Sequence, residues 1–176
     1  MDAPRLLQRL TAFPAALQTL CEGVAEDDHA WRPEDGGWCV RELVAHLADE
    51  EGEDFRARLE FVLDEREGAF APIDPEGWVA ARRYRDRPVA QSLERFASAR
   101  VETVARLRER LDAAGPSDLD WSLHWTHPRF ADLHAGDLLG ALAAHDALHL
   151  RQLARLLHSL AERDAAPYEV GYAGSW

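Results

Sequence analysis

Three histidines are the residues of this chain best suited to chemistry. His145 and His149 lie one helical turn apart within an apolar stretch, and His46 lies far upstream on a separate helical pattern. Imidazole is costly to bury without partners for both of its nitrogens, but it is a good ligand for divalent transition metals. Three imidazoles that meet inside a helical protein would form a metal site with positions left open for water or substrate.

Helical periodicity turns these histidines inward. The last long helical segment carries a stripe of leucines, formed by Leu138, Leu142, Leu153, Leu156 and Leu160. At about 100° per residue, His145 and His149 fall on either side of the centre of that stripe, as two ligands of one ion must. His46 lies on the shoulder of the corresponding stripe of the second segment. A single histidine on such a face is more often a hydrogen-bonded core residue, but two at this spacing and a third on another helix favour a metal.

The donor set narrows the choice of metal and of chemistry. Three neutral imidazoles plus water suit zinc, and also nickel, cobalt or ferrous iron. We expect one divalent transition metal per chain, with zinc as the first choice and nickel as the alternative. The run from His145 to His149 nearly matches the HExxH motif of zinc proteases, but Asp146 replaces the usual glutamate and no sheet is available to present a peptide. A di-iron bundle would need Glu-x-x-His pairs and several inward glutamates, and is disfavoured.

Charged residues on the inward faces are candidates for the surroundings of the metal. Glu51 and Asp54 lie on the inward stripe of the second segment, and Arg100 lies on that of the third. Because burying a charge is costly unless it is paired, we expect Arg100 to pair with Glu51 or Asp54 near the metal, where it orients ligands or holds an anion. An ion pair at the open end of the bundle is the alternative. His127 is the best placed of the remaining histidines to face the site.

Four long helical segments must position these residues, and no strand alternation competes with them. They run from about Pro4 to Val24, Cys39 to Glu65, Pro88 to Ala113 and Ala135 to Arg163. Pro14 predicts a kink or a break in the first, and Cys39 is a weak helix cap. The connection from Gly68 to Pro88 is long enough to cross between helices, and residues 117–134 form a second irregular stretch. The pattern predicts an all-α protein, a four-helix bundle with a long crossover connection that makes one domain of residues 1–176.

Composition argues against several classes of partner. The formal net charge of −12 repels nucleic acid and anionic lipid. No apolar run of about 18 residues predicts a membrane span, and the basic start and apolar stretch of a signal peptide are missing. We therefore expect a cytoplasmic protein in which Cys21 and Cys39 are reduced thiols.

Two runs of this sequence resemble the DinB/YfiT-like superfamily of four-helix metalloproteins. They are Gly37 to Leu47, GWCVRELVAHL, and His145 to Leu153, HDALHLRQL. The His127-Pro128 approach and the Tyr172–Trp176 tail are similar to one branch of that family, whereas Cys39 departs from its usual Ser or Thr. The resemblance implies a bundle that does not run simply up and down, His46, His145 and His149 as ligands of zinc or nickel, and often a homodimer. Characterised members include transferases and isomerases that use low-molecular-weight thiols, and metal-dependent hydrolases.

Two classes of function are open. In the first, the metal has an open position and the protein is an enzyme that catalyses thiol S-transfer or hydrolysis on a small electrophilic substrate, with a low-molecular-weight thiol as partner in the transfer case. In the second, the chain is a non-catalytic, stress-related metal-binding dimer in which the metal is structural. Closed structural zinc sites usually have four protein ligands, and only three are evident here, although Asp54 or His127 could supply a fourth. This difference favours the enzyme.

Overall fold

Amphipathic helices form most of the protein. The computed structural model describes residues 1–34, 36–70, 72–115, 119–127 and 131–174, without the side chains of residues 127 and 131. The elements in chain order are α1 (Ala3–Glu22), α2 (Val40–Glu50), a π-helical turn (Glu51–Arg56), α3 (Ala57–Leu63), α4 (Pro75–Ala81), α5 (Val89–Ala114), β1 (His124–His127), β2 (Ala131–His134) and α6 (Ala135–Ala165). Among the described residues, no helix is both long and apolar enough to cross a membrane.

Local side-chain bonds fix where the helices begin. The Asp2 carboxylate accepts a hydrogen bond from the Arg5 backbone N–H and caps α1. Of the kink or break predicted at Pro14, no break occurs, because α1 continues through this residue. At the start of α2, the Glu42 carboxylate accepts the Cys39 backbone N–H at 3.0 Å and also pairs with Arg32. Glu42 therefore secures a helix start that the sequence presents as weakly capped.

The long connection before α5 crosses the bundle, as predicted. The segment from α2 to α3 packs beside α5, and ion pairs join the two. Along these pairs the residue numbers increase in the same direction in both segments. These pairs are Asp49–Arg95, Glu60–Arg106 and Asp64–Arg110. The two segments are therefore parallel, so the chain between them must travel back along the whole bundle. Such a crossover distinguishes this bundle from one with simple up-and-down order.

Two short elements lie in stretches that the sequence analysis reads as irregular. Helix α4 is capped by the Asp74 carboxylate, which accepts the Gly77 backbone N–H, and it has only seven residues. Strands β1 and β2 form an antiparallel hairpin that leads directly into α6. Each strand has four residues, which is too short for alternation to stand out from the surrounding sequence.

The apolar core is divided into two clusters by a polar layer. One cluster joins the C-terminal half of α1 to α2, the start of α5 and the C-terminal half of α6. The other joins the start of α1 to α3, the C-terminal half of α5 and the start of α6. The buried charged and polar residues at mid-bundle lie between the two, and they are His46, Glu50, Glu51, Arg100, Asp146 and His149. The candidate site belongs to this layer.

Candidate metal centre

The three predicted histidines meet at one point between α2 and α6. The Nε2 atom of His149 lies 3.1 Å from Nε2 of His46 and 2.9 Å from Nε2 of His145. Each of the three offers one ring nitrogen, and these nitrogens all lie within 4.8 Å of one another, as the ligands of one metal ion must. His46 and His149 are buried, whereas 18% of the His145 side chain is exposed. The cluster is thus open to solvent on the His145 side.

Burial keeps the two inner imidazoles neutral. Desolvation, followed by repulsion from His145, lowers the pKa of His46 to about 3. The pKa of His149 is also lowered to about 3, chiefly by desolvation and then by His145 and His46. Neutral imidazoles have a free lone pair for a metal ion at physiological pH.

Neighbouring side chains orient the rings. The Oε1 atom of Gln152 lies 3.0 Å from Nδ1 of His149. An amide oxygen only accepts, so this bond puts the His149 proton on Nδ1 and leaves the Nε2 lone pair facing the other two histidines. The Trp38 ring lies against His46 with centroids 4.7 Å apart, and Phe55 lies against His145 at 4.8 Å. These aromatic rings cover part of the site, and the side of His145 stays partly open to solvent.

The arrangement fits a divalent cation better than it fits three uncharged rings alone. With its proton on Nδ1, His149 offers only one lone pair to the two Nε2 atoms beside it. A tetrahedral ion with bonds of about 2.0–2.1 Å would separate neighbouring donor atoms by roughly 3.3 Å, close to the distances observed. His46, His145 and His149 could therefore hold such an ion.

Glu50 contacts two of the three histidines and, like Gln152 and Phe55, was not among the predicted site residues. Its Oε2 atom lies 3.0 Å from Nε2 of His145 and 3.3 Å from Nε2 of His46, and the residue is 5% exposed. The available signal was the spacing to His46, because residues four apart share a helix face. That signal was weak because nearly every residue from Val40 to Glu51 is buried, so the apolar pattern gives no single inward face.

Arg100 links the helices that carry the site. Its guanidinium binds both carboxylate oxygens of Glu51, at 2.9 and 2.8 Å, and both of Asp146, at 2.6 and 2.8 Å, and it donates to the Leu10 carbonyl. Burial opposes its charge, but the hydrogen bonds that it donates to Asp146 and Glu51 raise the pKa of Arg100 above its ordinary value. The expected pair with Glu51 is present. All five N–H donors are engaged, so Arg100 has none left to hold a substrate anion.

The other two predicted neighbours take different places. Asp54 pairs with Arg58, one turn further along the chain, and not with Arg100. Burial, reinforced by the charge of Glu50, raises the pKa of Asp54 although Arg58 opposes the change. His127 is the last residue of β1, and its side chain lies outside the part of the chain that the structure describes.

Comparisons with known proteins agree with this geometry. A sequence model of the DinB superfamily matches residues 9–153. A proposed metal-dependent hydrolase of Oceanobacillus iheyensis is 26% identical over 121 residues, which are 69% of this chain and 66% of that protein, just under two thirds of its length. YfiT from Bacillus subtilis, described as a probable metal-dependent hydrolase with an unusual four-helix bundle topology, has a TM-score of 0.78 at 23% identity, over 90% of this chain and 87% of YfiT. This likeness confirms the predicted helical bundle.

Proposed function

The chain belongs to the DinB superfamily, and on that premise we propose that it is an enzyme that hydrolyses a small electrophilic substrate at one divalent metal held by His46, His145 and His149. The observation that carries the proposal is the convergence of three Nε2 atoms at a point open to solvent. Hydrolysis is favoured over thiol transfer because both similar proteins are described as metal-dependent hydrolases.

Substrate would reach the site on the side of His145. The side chain of His145 is the most exposed of the three histidines, and Phe55 packs against its ring. Asp54 lies one helical turn beyond Glu50 along the chain and forms an ion pair with Arg58. The two side chains are 14% and 10% exposed. A substrate on this face would meet one aromatic ring and one pair of opposite charges, which suits a small polar molecule.

A bound divalent ion would act as a Lewis acid and lower the pKa of a water molecule toward neutrality. The residues around the ion prepare the site in three ways. Burial and Trp38 keep the inner imidazoles neutral and dry, and Gln152 fixes the ring of His149. Arg100 ties α5 to Glu51 and Asp146, so the segments bearing His46 and His145 stay in register.

Metal binding is tested by elemental analysis of protein loaded with zinc or nickel. We expect about one ion per wild-type chain, and loss of that ion in the double variant His145→Ala/His149→Ala, because one histidine cannot hold a transition metal tightly. His158→Ala is the matched control, since it removes an imidazole from the same helix outside the cluster. Unchanged stoichiometry in the double variant would refute the assignment.

Turnover then separates the reactions. Loaded protein is assayed on a panel of small esters, amides and lactones, with and without a low-molecular-weight thiol. Turnover without thiol supports hydrolysis, whereas turnover only with thiol would replace it by S-transfer. A chelated protein that stays folded supports an enzyme, and unfolding on chelation would indicate a structural metal instead. The homodimer and the cytoplasmic location stay predictions.

A further inference from the structure

Glu50 differs from the other buried carboxylates of the described chain. Each of the others is paired with arginine: Glu42 with Arg32, Asp49 with Arg82, Arg87 and Arg95, and both Glu51 and Asp146 with Arg100. Within the described residues, the polar side chains that Glu50 contacts are His46 and His145. A buried carboxylate needs a compensating cation, and among the described residues Glu50 is the buried carboxylate that no arginine pairs with.

The position of the Glu50 oxygen matches that of a metal donor. Oε2 lies 3.0 and 3.3 Å from two of the three Nε2 atoms, while those nitrogens are 2.9 and 3.1 Å from the third. Two donors of one tetrahedral ion with bonds of about 2.0–2.1 Å lie roughly 3.3 Å apart, so Oε2 of Glu50 is near enough to the Nε2 atoms of His145 and His46 to share an ion with them. An ion held by the histidines would therefore lie beside Glu50 and supply the cation that this carboxylate lacks.

We propose that Glu50 is a fourth protein ligand of the metal, so that the site consists of three imidazoles and one carboxylate. The proposal rests on the function proposed above, because it requires the histidines to hold an ion, and that function then requires a fifth coordination position for the water. Two helices then contribute equally: α2 supplies His46 and Glu50, and α6 supplies His145 and His149, each pair one turn apart. The carboxylate neutralises part of the charge of the ion, and its hard oxygen favours zinc, nickel, cobalt or ferrous iron over copper(I).

The test measures metal binding without any substrate. Cobalt(II) is titrated into wild type, Glu50→Ala, Glu50→Gln and the control Glu53→Gln, and affinity is read by competition with a chelator while the visible absorption of the ion reports its ligands. Loss of a partner of a metal ligand typically costs 10–100-fold in affinity, so loss of a direct ligand should cost at least about 100-fold. We expect this loss and a changed spectrum in both Glu50 variants, and neither in Glu53→Gln, which removes the same charge from an exposed position.

The outcomes separate this proposal from the function on which it rests. If wild type binds no metal, the metal-dependent function itself fails. If wild type binds and Glu50→Ala binds equally well with the same spectrum, the three-histidine site stands and Glu50 is not a ligand. Should the variants fail to fold, a structure of metal-loaded wild type decides: an oxygen of Glu50 at about 2.0–2.2 Å from the ion supports the proposal, and one outside bonding distance overturns it.

Discussion

Arg100 offers the sharpest test of how this bundle is held together. Its side chain is 2% exposed, and those of its partners Glu51 and Asp146 are 1% and 7% exposed. Arg100→Met keeps the apolar stem but removes the guanidinium, which leaves two carboxylates buried without a cation. Removing one partner of a buried ion pair typically costs about 3–5 kcal/mol, a large part of a total stability of roughly 5–15 kcal/mol.

Urea unfolding of metal-free protein, followed by circular dichroism, measures this loss. We expect Arg100→Met to lower the free energy of unfolding by about 3–5 kcal/mol. The control Arg106→Met removes a half-exposed arginine from the same helix and should cost less than about 1 kcal/mol, as exposed ion pairs do. Arg100→Lys keeps the charge but cannot bind two carboxylates in fork geometry, so its stability should lie between wild type and Arg100→Met.

A triple variant tests the physical reason for the loss. Arg100→Met/Glu51→Gln/Asp146→Asn removes all three charges, so no carboxylate is left uncompensated. We expect it to be more stable than Arg100→Met alone, because the penalty comes from the unpaired charges more than from the missing bonds. A loss below about 1 kcal/mol in Arg100→Met, or a triple variant less stable than the single one, would refute the reasoning.

Three further predictions concern other parts of the chain. Gln152→Leu removes the acceptor that orients His149, so metal affinity should fall about 10–100-fold with the fold intact, and unchanged affinity would contradict this role. Burial by itself would raise the pKa of Asp49, but hydrogen bonds from Arg82, Tyr84 and Arg95 lower it to about 2. The charge of Asp49 therefore adds about 2 kcal/mol to the free energy of unfolding above about pH 4, and this contribution fades as the pH falls toward 2. Urea unfolding of Asp49→Asn should show that difference shrinking with acid, and a constant difference would contradict it. Burial, with a contribution from Glu22, raises the pKa of the Cys21 thiol to about 12, so it should react with a thiol reagent only after unfolding.

Local periodicity made the main helices and the three histidines predictable. The spacing of apolar residues is set by the helix itself, so it places His145 and His149 on one face whatever packs against it. The same reasoning misses α4 and the β1–β2 hairpin, because neither is long enough for a period to show. It also cannot give the direction of α5, since a helix has the same apolar pattern in either direction.

The partners of the charged residues could not be predicted in the same way. A helical wheel places Glu51 and Asp54 together, but both lie in the π-helical turn Glu51–Arg56, whose wider winding breaks the 3.6-residue period. Glu51 therefore meets Arg100 while Asp54 meets Arg58, and the second carboxylate on Arg100 comes from Asp146 on another helix.

The sequence by itself determined which long segments are helical, which face α6 buries and which three imidazoles can meet. Those properties follow from the order of residues within one helix. Only the tertiary structure decided that Glu50 points at the imidazoles, that Asp146 completes the pairing of Arg100, and that the site opens beside His145. Such contacts join different helices, and they depend on how each helix is rotated and packed against its neighbours, which no local pattern records.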